Sequence, residues 1–329
     1  MATILVTGGA GYIGAVTVKA LLERGDRVVV LDTLATSKAE TIDKLKAFGD
    51  VQLVVGDIAD TALVDQMLAE QQPEAVVHFA AWKNAGESMQ VPVKYFENNV
   101  GGTNRLLDSL QRAGIRQIVF SGSCSVYGTP AELPVNEGFP IHPESVYAHS
   151  KRMGEELMAW YDQIYGVRGV SLRYFNAAGA SPEGLLGEQP ERSANLIPVV
   201  MEATLGRRPK ITVFGTDYPT RDGTCIRDYI HVVDLADAHV RALDFLARED
   251  RSEVFNIGTG TGTTVKEIVT GTERVGGRTV PVEYGPRRAG DPVAIWADNA
   301  KARTLLGWEP RYGLDEILAH AWAWHAGLK

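Results

Sequence analysis

The sequence predicts an α/β fold, a doubly wound parallel sheet followed by a smaller C-terminal α+β region, on three observations. Short Val/Ile/Leu-rich runs alternate with helical patterns over the first 175 residues. The first run ends in a glycine turn that opens a helix, and the second run ends in Asp32. Together these begin a series of strand–helix–strand units with a ligand crevice at the carboxyl ends of the strands.

The strands are expected at 3–7, 27–32, 52–56, 75–80, 117–121 and 169–174, each apolar enough to be buried on both faces. Helices at 13–24, 62–71, 95–113 and 147–165 supply the crossovers that parallel strands require. After Asn176 the rhythm gives way to a Gly- and Pro-rich stretch, 177–190, and then to mixed helices and short strands. This divides the chain into 1–176, a dinucleotide-binding domain of the Rossmann kind, and 177–329, a substrate-binding region packed against it. A helix at 232–248 leads to a strand at 254–258 that can return to the main sheet.

Composition narrows the function. A formal charge of −8 argues against nucleic-acid or anionic-membrane partners, so a phosphorylated ligand would be held by local arginines and backbone amides. Cys124 and Cys225 lie far apart with no CxxC, which points to a reducing cytoplasm rather than a disulfide framework. The seven histidines show no metal-binding spacing, so no metal is expected, and His78, His231 and His239 are read as structural. No basic and apolar leader opens the chain, and no apolar run reaches the about 18 residues of a membrane span.

The first glycine turn carries chemistry. Gly8, Gly11 and Gly14 give GxxGxxG, while Gly9, Gly11 and Gly14 satisfy GxGxxG. Absent side chains permit a tight turn and close approach of a pyrophosphate to a helix N-terminus. Asp32 would then accept hydrogen bonds from an adenosine ribose and repel a 2′-phosphate, which selects NAD over NADP. The later turn Gly258-Thr259-Gly260-Thr261-Gly262 lacks this context and is read as structural.

A second motif, Ser145-Val146-Tyr147-Ala148-His149-Ser150-Lys151, places Tyr147 and Lys151 on one helix face. A phenol with a pKa of about 10 acts as a base at neutral pH only if its anion is stabilised by about 3 units, roughly 4 kcal/mol, and a nearby cation supplies part of that. Ser123, in the serine cluster after the fifth strand, can face the same crevice and hold the oxygen that Tyr147 deprotonates. No GxSxG elbow supports a serine hydrolase.

With these residues in hand, the chain resembles the extended short-chain dehydrogenase/reductases, and within them the branch that inverts C4 of UDP-sugars. The likeness runs through TGGAGYIG (7–14), HFAAWK (78–83), ENNVGGT (97–103), SVYAHSK (145–151), RYFN (173–176), the long segment FGTDYPTRDGTCIRDYIHVVDLAD (214–237) and PRRAGD (286–291). The resemblance implies an isomerase of galactose metabolism that interconverts UDP-galactose and UDP-glucose. Tightly bound NAD would oxidise C4 to a 4-keto sugar, the sugar would rotate, and hydride would return to the other face.

Residue by residue, the resemblance puts Ser123, Tyr147 and Lys151 at the catalytic centre. It implies cofactor contacts from Gly8, Gly11, Tyr12, Ile13 and Gly14 at the pyrophosphate, and from Asp32, Thr33 and Ser37 at the ribose. Asp57 and Ile58 would meet the adenine, and Phe79, Ala80, Ala81, Lys83, Asn98, Ser121 and Phe175 the channel and nicotinamide. Lys83, Asn176, Asn195, Leu196, Phe214, Arg227, Tyr229, Arg288 and Asp291 would hold the UDP-sugar. Ile295 falls where side-chain size sets the room around the sugar, and related enzymes pair as homodimers through helices matching 95–113 and 147–165.

Two other readings share much of this pattern. A nucleotide-sugar 4,6-dehydratase needs Asp-Glu directly after the position of Ser123, where this chain has Cys124-Ser125. A non-catalytic NAD-binding regulatory protein commonly loses the tyrosine or lysine, which this chain keeps.

Overall fold

The computed structural model describes residues 1–190, 193–288 and 292–328. Six strands follow the expected order: β1 (Thr3–Thr7), β2 (Arg27–Asp32), β3 (Val51–Val55), β4 (Ala75–His78), β5 (Gln117–Ser121) and β6 (Arg168–Tyr174). With strand Glu253–Ile257 they form one seven-stranded sheet, in which β4 and β2 flank β1, β3 is one edge and Glu253–Ile257, parallel to β6, is the other. All the pairings in it are parallel. Because the order reverses beside β1, a crevice opens at the carboxyl ends of β1 and β4.

Central strands are buried almost throughout, as their Val/Ile/Leu content dictates, but β3 departs from that expectation. Its edge position leaves Val55 59% exposed. On one face helix α1 (Tyr12–Arg24) packs beside helix Val232–Glu249, and on the other lie Thr61–Gln71, Thr103–Arg112 and Val146–Tyr165. Helix Val232–Glu249 therefore helps to enclose the first half of the chain.

Two boundaries shift for reasons that bear on the crevice. β4 ends at His78 rather than 80, because Phe79 and Ala80 cross directly over the glycine turn: a Cβ on Gly8 would lie 2.7 Å from the Ala80 nitrogen. The single helix expected at 95–113 is three pieces, Pro92–Tyr95, a π-helical stretch Phe96–Gly102, and Thr103–Arg112. Within the wider turns, Asn99 accepts from the Trp82 amide at 2.9 Å and donates to the Trp82 carbonyl at 2.9 Å and Ser150 Oγ at 3.1 Å. The inserted geometry keeps Asn99 inside while the following helix retains its apolar face.

The remainder forms a second cluster, in which helices Leu196–Thr204, Val265–Gly276 and Leu314–Gly327 cover the parallel pair Ile211–Phe214 and Val282–Gly285. Strand Asn176–Ala178 pairs with Tyr229–His231, joining this cluster to the sheet's carboxyl edge. The turn at 258–262 is filled from within: the Asp228 carboxylate accepts from the amides of Thr259, Gly260 and Ala297 and from Thr259 Oγ1. A side chain of the protein thus occupies the place an anionic ligand would take.

Candidate active site

A cleft of about 660 Å³ runs along the carboxyl ends of the strands and is closed opposite them by the segment 185–189 and the start of helix Leu196–Thr204. At one end is the glycine cradle. A Cβ on Gly14 would lie 2.3 Å from the Gly8 carbonyl oxygen, and Gly8 itself has φ +71°, so both positions demand glycine. Helix α1 starts there with Gly11 as its N-cap and no side chain capping it, which leaves its first N–H groups facing the cleft. Asp32 ends β2 with its carboxylate accepting from the amides of Ala10 at 3.1 Å and Leu34 at 2.9 Å and from Ser37 Oγ at 2.8 Å. This cradle fits a dinucleotide: an acceptor for ribose hydroxyls stands beside a bare helix N-terminus, and no side chain blocks either.

Of the residues expected at the cofactor, Gly8, Gly11, Tyr12, Ile13, Gly14, Asp32, Thr33, Ser37, Asp57, Ile58, Phe79, Ala80, Ala81, Lys83, Asn98, Ser121 and Phe175 all line the cleft. Ser123, Tyr147 and Lys151 line its middle, and Asn176, Asn195, Leu196 and Tyr229 its far end. Phe214, Arg227 and Arg288 do not line it. Phe214 is partly exposed with the Arg288 guanidinium 4.5 Å over its ring, and Arg227 donates to the Ile226 and Pro292 carbonyls, both at 2.8 Å. Asp291 lies outside the described residues.

The reaction centre is set by the first turn of helix Val146–Tyr165. Ser145 caps it, its Oγ accepting from the Ala148 amide at 3.1 Å, which starts the helix where Tyr147 and Lys151 face inward. Burial pushes the Tyr147 phenol up to about 12, with Cys124 adding to the rise and the Ser123 hydroxyl opposing it. Burial likewise pushes the Lys151 ammonium down to about 8, partly offset by Glu155. Lys151 Nζ donates to the Ser121 carbonyl at 2.8 Å, and in the protein alone the Ser123 hydroxyl is the neighbour that lowers the Tyr147 phenol. Ser123 Oγ in turn shares a 2.8 Å hydrogen bond with Ser125 Oγ.

A buried ion pair holds this centre in place. Glu155, one turn after Lys151, accepts from Arg173 Nε at 2.9 Å and Nη2 at 2.7 Å and from Ser171 Oγ at 2.9 Å. Arg173 Nη1 donates to Tyr127 Oη at 2.9 Å, and Tyr127 donates to Asn256 at 2.8 Å. The chain of contacts ties the Tyr147 helix, β6, the turn after Ser123 and strand Glu253–Ile257 together.

Several cleft residues were not foreseen. Glu188 is buried at the wall opposite the strands and paired with Lys83 at 2.8 Å; Tyr174 is hydrogen-bonded to Ser121; and Asn99, outside the lining, braces the loop of the cleft residue Trp82. Only Asn99 carried a local signal, the two glycines that follow it in ENNVGGT. Among the described histidines, His78 is neutral with a pKa pushed down to about 3 by burial, bridging Thr7 Oγ1 at 2.6 Å and Thr103 Oγ1 at 3.0 Å. His231 contacts His320 at 2.9 Å, and His239 packs under Phe79. Among the described residues no group of three or more His, Cys, Asp or Glu side chains could hold a metal ion.

The family described as the NAD dependent epimerase/dehydratase family matches residues 4–258, a stretch that contains the cradle, Ser123, Tyr147 and Lys151. The chain belongs to this family. Members similar over nearly the whole chain include the UDP-glucose 4-epimerase of Rhizobium leguminosarum bv. trifolii, 48% identical over 98% of this chain and 97% of the relative, and that of Halalkalibacterium halodurans, 45% identical over 98% and 95%. Among solved structures of the family, UDP-glucose 4-epimerase from Brucella ovis in complex with NAD superposes with a TM-score of 0.94 at 44% identity, covering 98% of each chain. The Stenotrophomonas maltophila enzyme with bound NAD and formylated UDP-arabinopyranose reaches a TM-score of 0.96 at 38% identity, covering 99% of this chain and 98% of that one.

Proposed function

We propose that this protein is an NAD-dependent isomerase that interconverts UDP-galactose and UDP-glucose by transient oxidation at sugar C4. The observation that carries the reading is the gathering of Ser123, Tyr147 and Lys151 on one wall of a cleft that starts at the Gly8–Gly14 cradle with Asp32, in a chain 48% identical to a UDP-glucose 4-epimerase. NAD, when bound, accepts the hydride from C4, returns it, and brings a positive ring charge to the cleft. The cradle and Asp32 would hold and select it, and the Lys151 ammonium would be available to its ribose hydroxyls.

Tyr147 removes the proton of the 4-hydroxyl, and Ser123 holds that oxygen while it becomes a carbonyl. In the protein alone the phenol stands near 12, so bringing its anion within reach at neutral pH asks for about 5 units, roughly 7 kcal/mol, from charges that arrive with the ligands and from Lys151. The far end of the cleft holds the nucleotide: Asn176, Asn195, Leu196 and Tyr229 line it, and the resemblance assigns Phe214, Arg227, Arg288 and Asp291 the same role. A grip on the nucleotide rather than the sugar lets the keto sugar turn and take hydride on its opposite face.

Incubating the purified protein with UDP-galactose and reading the C4 configuration by NMR tests the proposal. UDP-glucose is expected; a 4-keto-6-deoxy sugar would mark a dehydratase, and unchanged substrate with NAD bound would mark a regulatory protein.

A pH dependence follows from Lys151. Its charge favours the phenolate, and burial makes it titrate near 8, so kcat/KM, which reports the free enzyme, should fall as the pH rises through about 8. A profile flat up to about 10, where an unperturbed lysine titrates, would contradict this.

The active form we propose is a cytoplasmic homodimer. Phe96, Trp160, Ile164 and Tyr165 are 37%, 59%, 62% and 46% exposed on the π-helical stretch and on helix Val146–Tyr165, an apolar patch of the kind that marks an interface. Two cysteines far apart in sequence with no CxxC suit a reducing compartment. Sedimentation should give twice the 35.7 kDa chain mass, and Trp160→Glu with Ile164→Glu should shift it to the single mass; wild type at the single mass would refute the dimer.

A further inference from the structure

We propose that Glu188 is an affinity brake: its carboxylate competes with the diphosphate of the sugar nucleotide for the Lys83 ammonium and so keeps the substrate loosely held. The inference rests on the UDP-sugar reading above and concerns how that site sets its own affinity. Glu188 is 5% exposed, yet it lines the cleft and meets Lys83 Nζ at 2.8 Å. Lys83, by contrast, keeps 56% of its side chain exposed, so its ammonium can be shared with a ligand.

The backbone that carries the carboxylate is held at two points. The Glu188 carbonyl accepts from Trp324 Nε1 at 2.9 Å, and Gly187 lies flat on the same indole, where a Cβ would come within 2.5 Å of Cγ. Asn195 completes the arrangement. It occupies the N-cap of helix Leu196–Thr204, where asparagine ordinarily accepts from the helix's first amides, but it makes no such cap. Its Nδ2 donates instead to both Glu188 oxygens, at 2.9 and 3.1 Å. One fixed negative charge therefore engages the two side chains, one on each side of the cleft, that an entering diphosphate would need.

Two effects oppose each other when Glu188 loses its charge. The orientation of Lys83 and Asn195 relaxes, which weakens binding, while repulsion of an anion and competition for Lys83 both disappear, which strengthens it. In a partly enclosed cleft the charge effect outweighs the loss of one neutral contact, because a buried charge acts on a dianion at low effective dielectric. Removing the carboxylate should thus tighten anion binding. That sign matters, since damage to packing loosens a site and does not tighten it.

The experiment is calorimetric titration of the holoenzyme with UDP, alongside UDP-galactose kinetics. Glu188→Gln should bind UDP about tenfold more tightly and lower KM, with kcat reduced as the product leaves more slowly. Lys83→Met should bind UDP more weakly, and Glu188→Gln placed on that background should tighten binding by a clearly smaller factor, because the competition has gone. Glu188→Asp, which keeps the charge but withdraws it from Lys83, should fall between wild type and Glu188→Gln, and it serves if the glutamine variant does not fold. Unchanged or weaker UDP binding in folded Glu188→Gln or Glu188→Asp, or an equal effect of Glu188→Gln with and without Lys83, would overturn the brake. Absence of epimerisation by the wild-type protein would instead overturn the functional reading, whatever the UDP titration gives.

Discussion

Tyr147→Phe should lower kcat about a thousandfold while leaving UDP-galactose binding within a fewfold of wild type, because it deletes one acid–base oxygen and nothing else. The ring stays on a helix begun by Ser145 and braced by Glu155, so the fold has no reason to change. The loss should appear in the rate of C4 inversion at saturating substrate. Near-normal turnover would show that another group takes the proton, and Ser123 with Ser125, 2.8 Å apart, would be the pair to examine next.

Glu155→Ala should cost about 3–5 kcal/mol of stability, as expected when one member of a buried ion pair is removed and the other charge is left without its partner. Both side chains are 5% exposed, and Glu155 keeps Arg173 well above the usual arginine range against the burial that opposes it. The midpoint of urea unfolding followed by circular dichroism reads the effect. Arg173→Met added to Glu155→Ala should recover part of the loss, since no isolated buried charge then remains. A single variant as stable as wild type would mean that the pair does not organise the Tyr147 helix against β6.

Much of this is legible in the sequence itself. Gly8, Gly11 and Gly14 are dictated by backbone approach, and Asp32 by a ligand hydroxyl, so their spacing carries the structure around them. Tyr147 and Lys151 face the cleft because a helix fixes the relation of i to i+4. What the spacing did not carry is the partner each side chain chooses. Lys151 turns to the Ser121 carbonyl, a contact made across 30 residues of sequence, and Ser123, far from Tyr147 in sequence, is the group that lowers the phenol in the protein alone.

The less legible features share that long-range origin. The π-helical stretch at Phe96–Gly102 keeps Asn99 on the backbone of Trp82 and the Ser150 hydroxyl, neither of which is visible in a helical pattern. Glu188 sits in a Gly- and Pro-rich stretch that reads as plain loop, and its importance emerges only when Lys83 and Asn195 converge on it. The second glycine turn was legible as structural, and Asp228 supplies the reason.

The central claim is that one hydride leaves C4 and returns to the same carbon on its other face. UDP-galactose carrying deuterium at C4 tests this most directly, with the product analysed by NMR. The account predicts UDP-glucose with the deuterium still on C4; deuterium lost to solvent, or moved to another carbon, would contradict it.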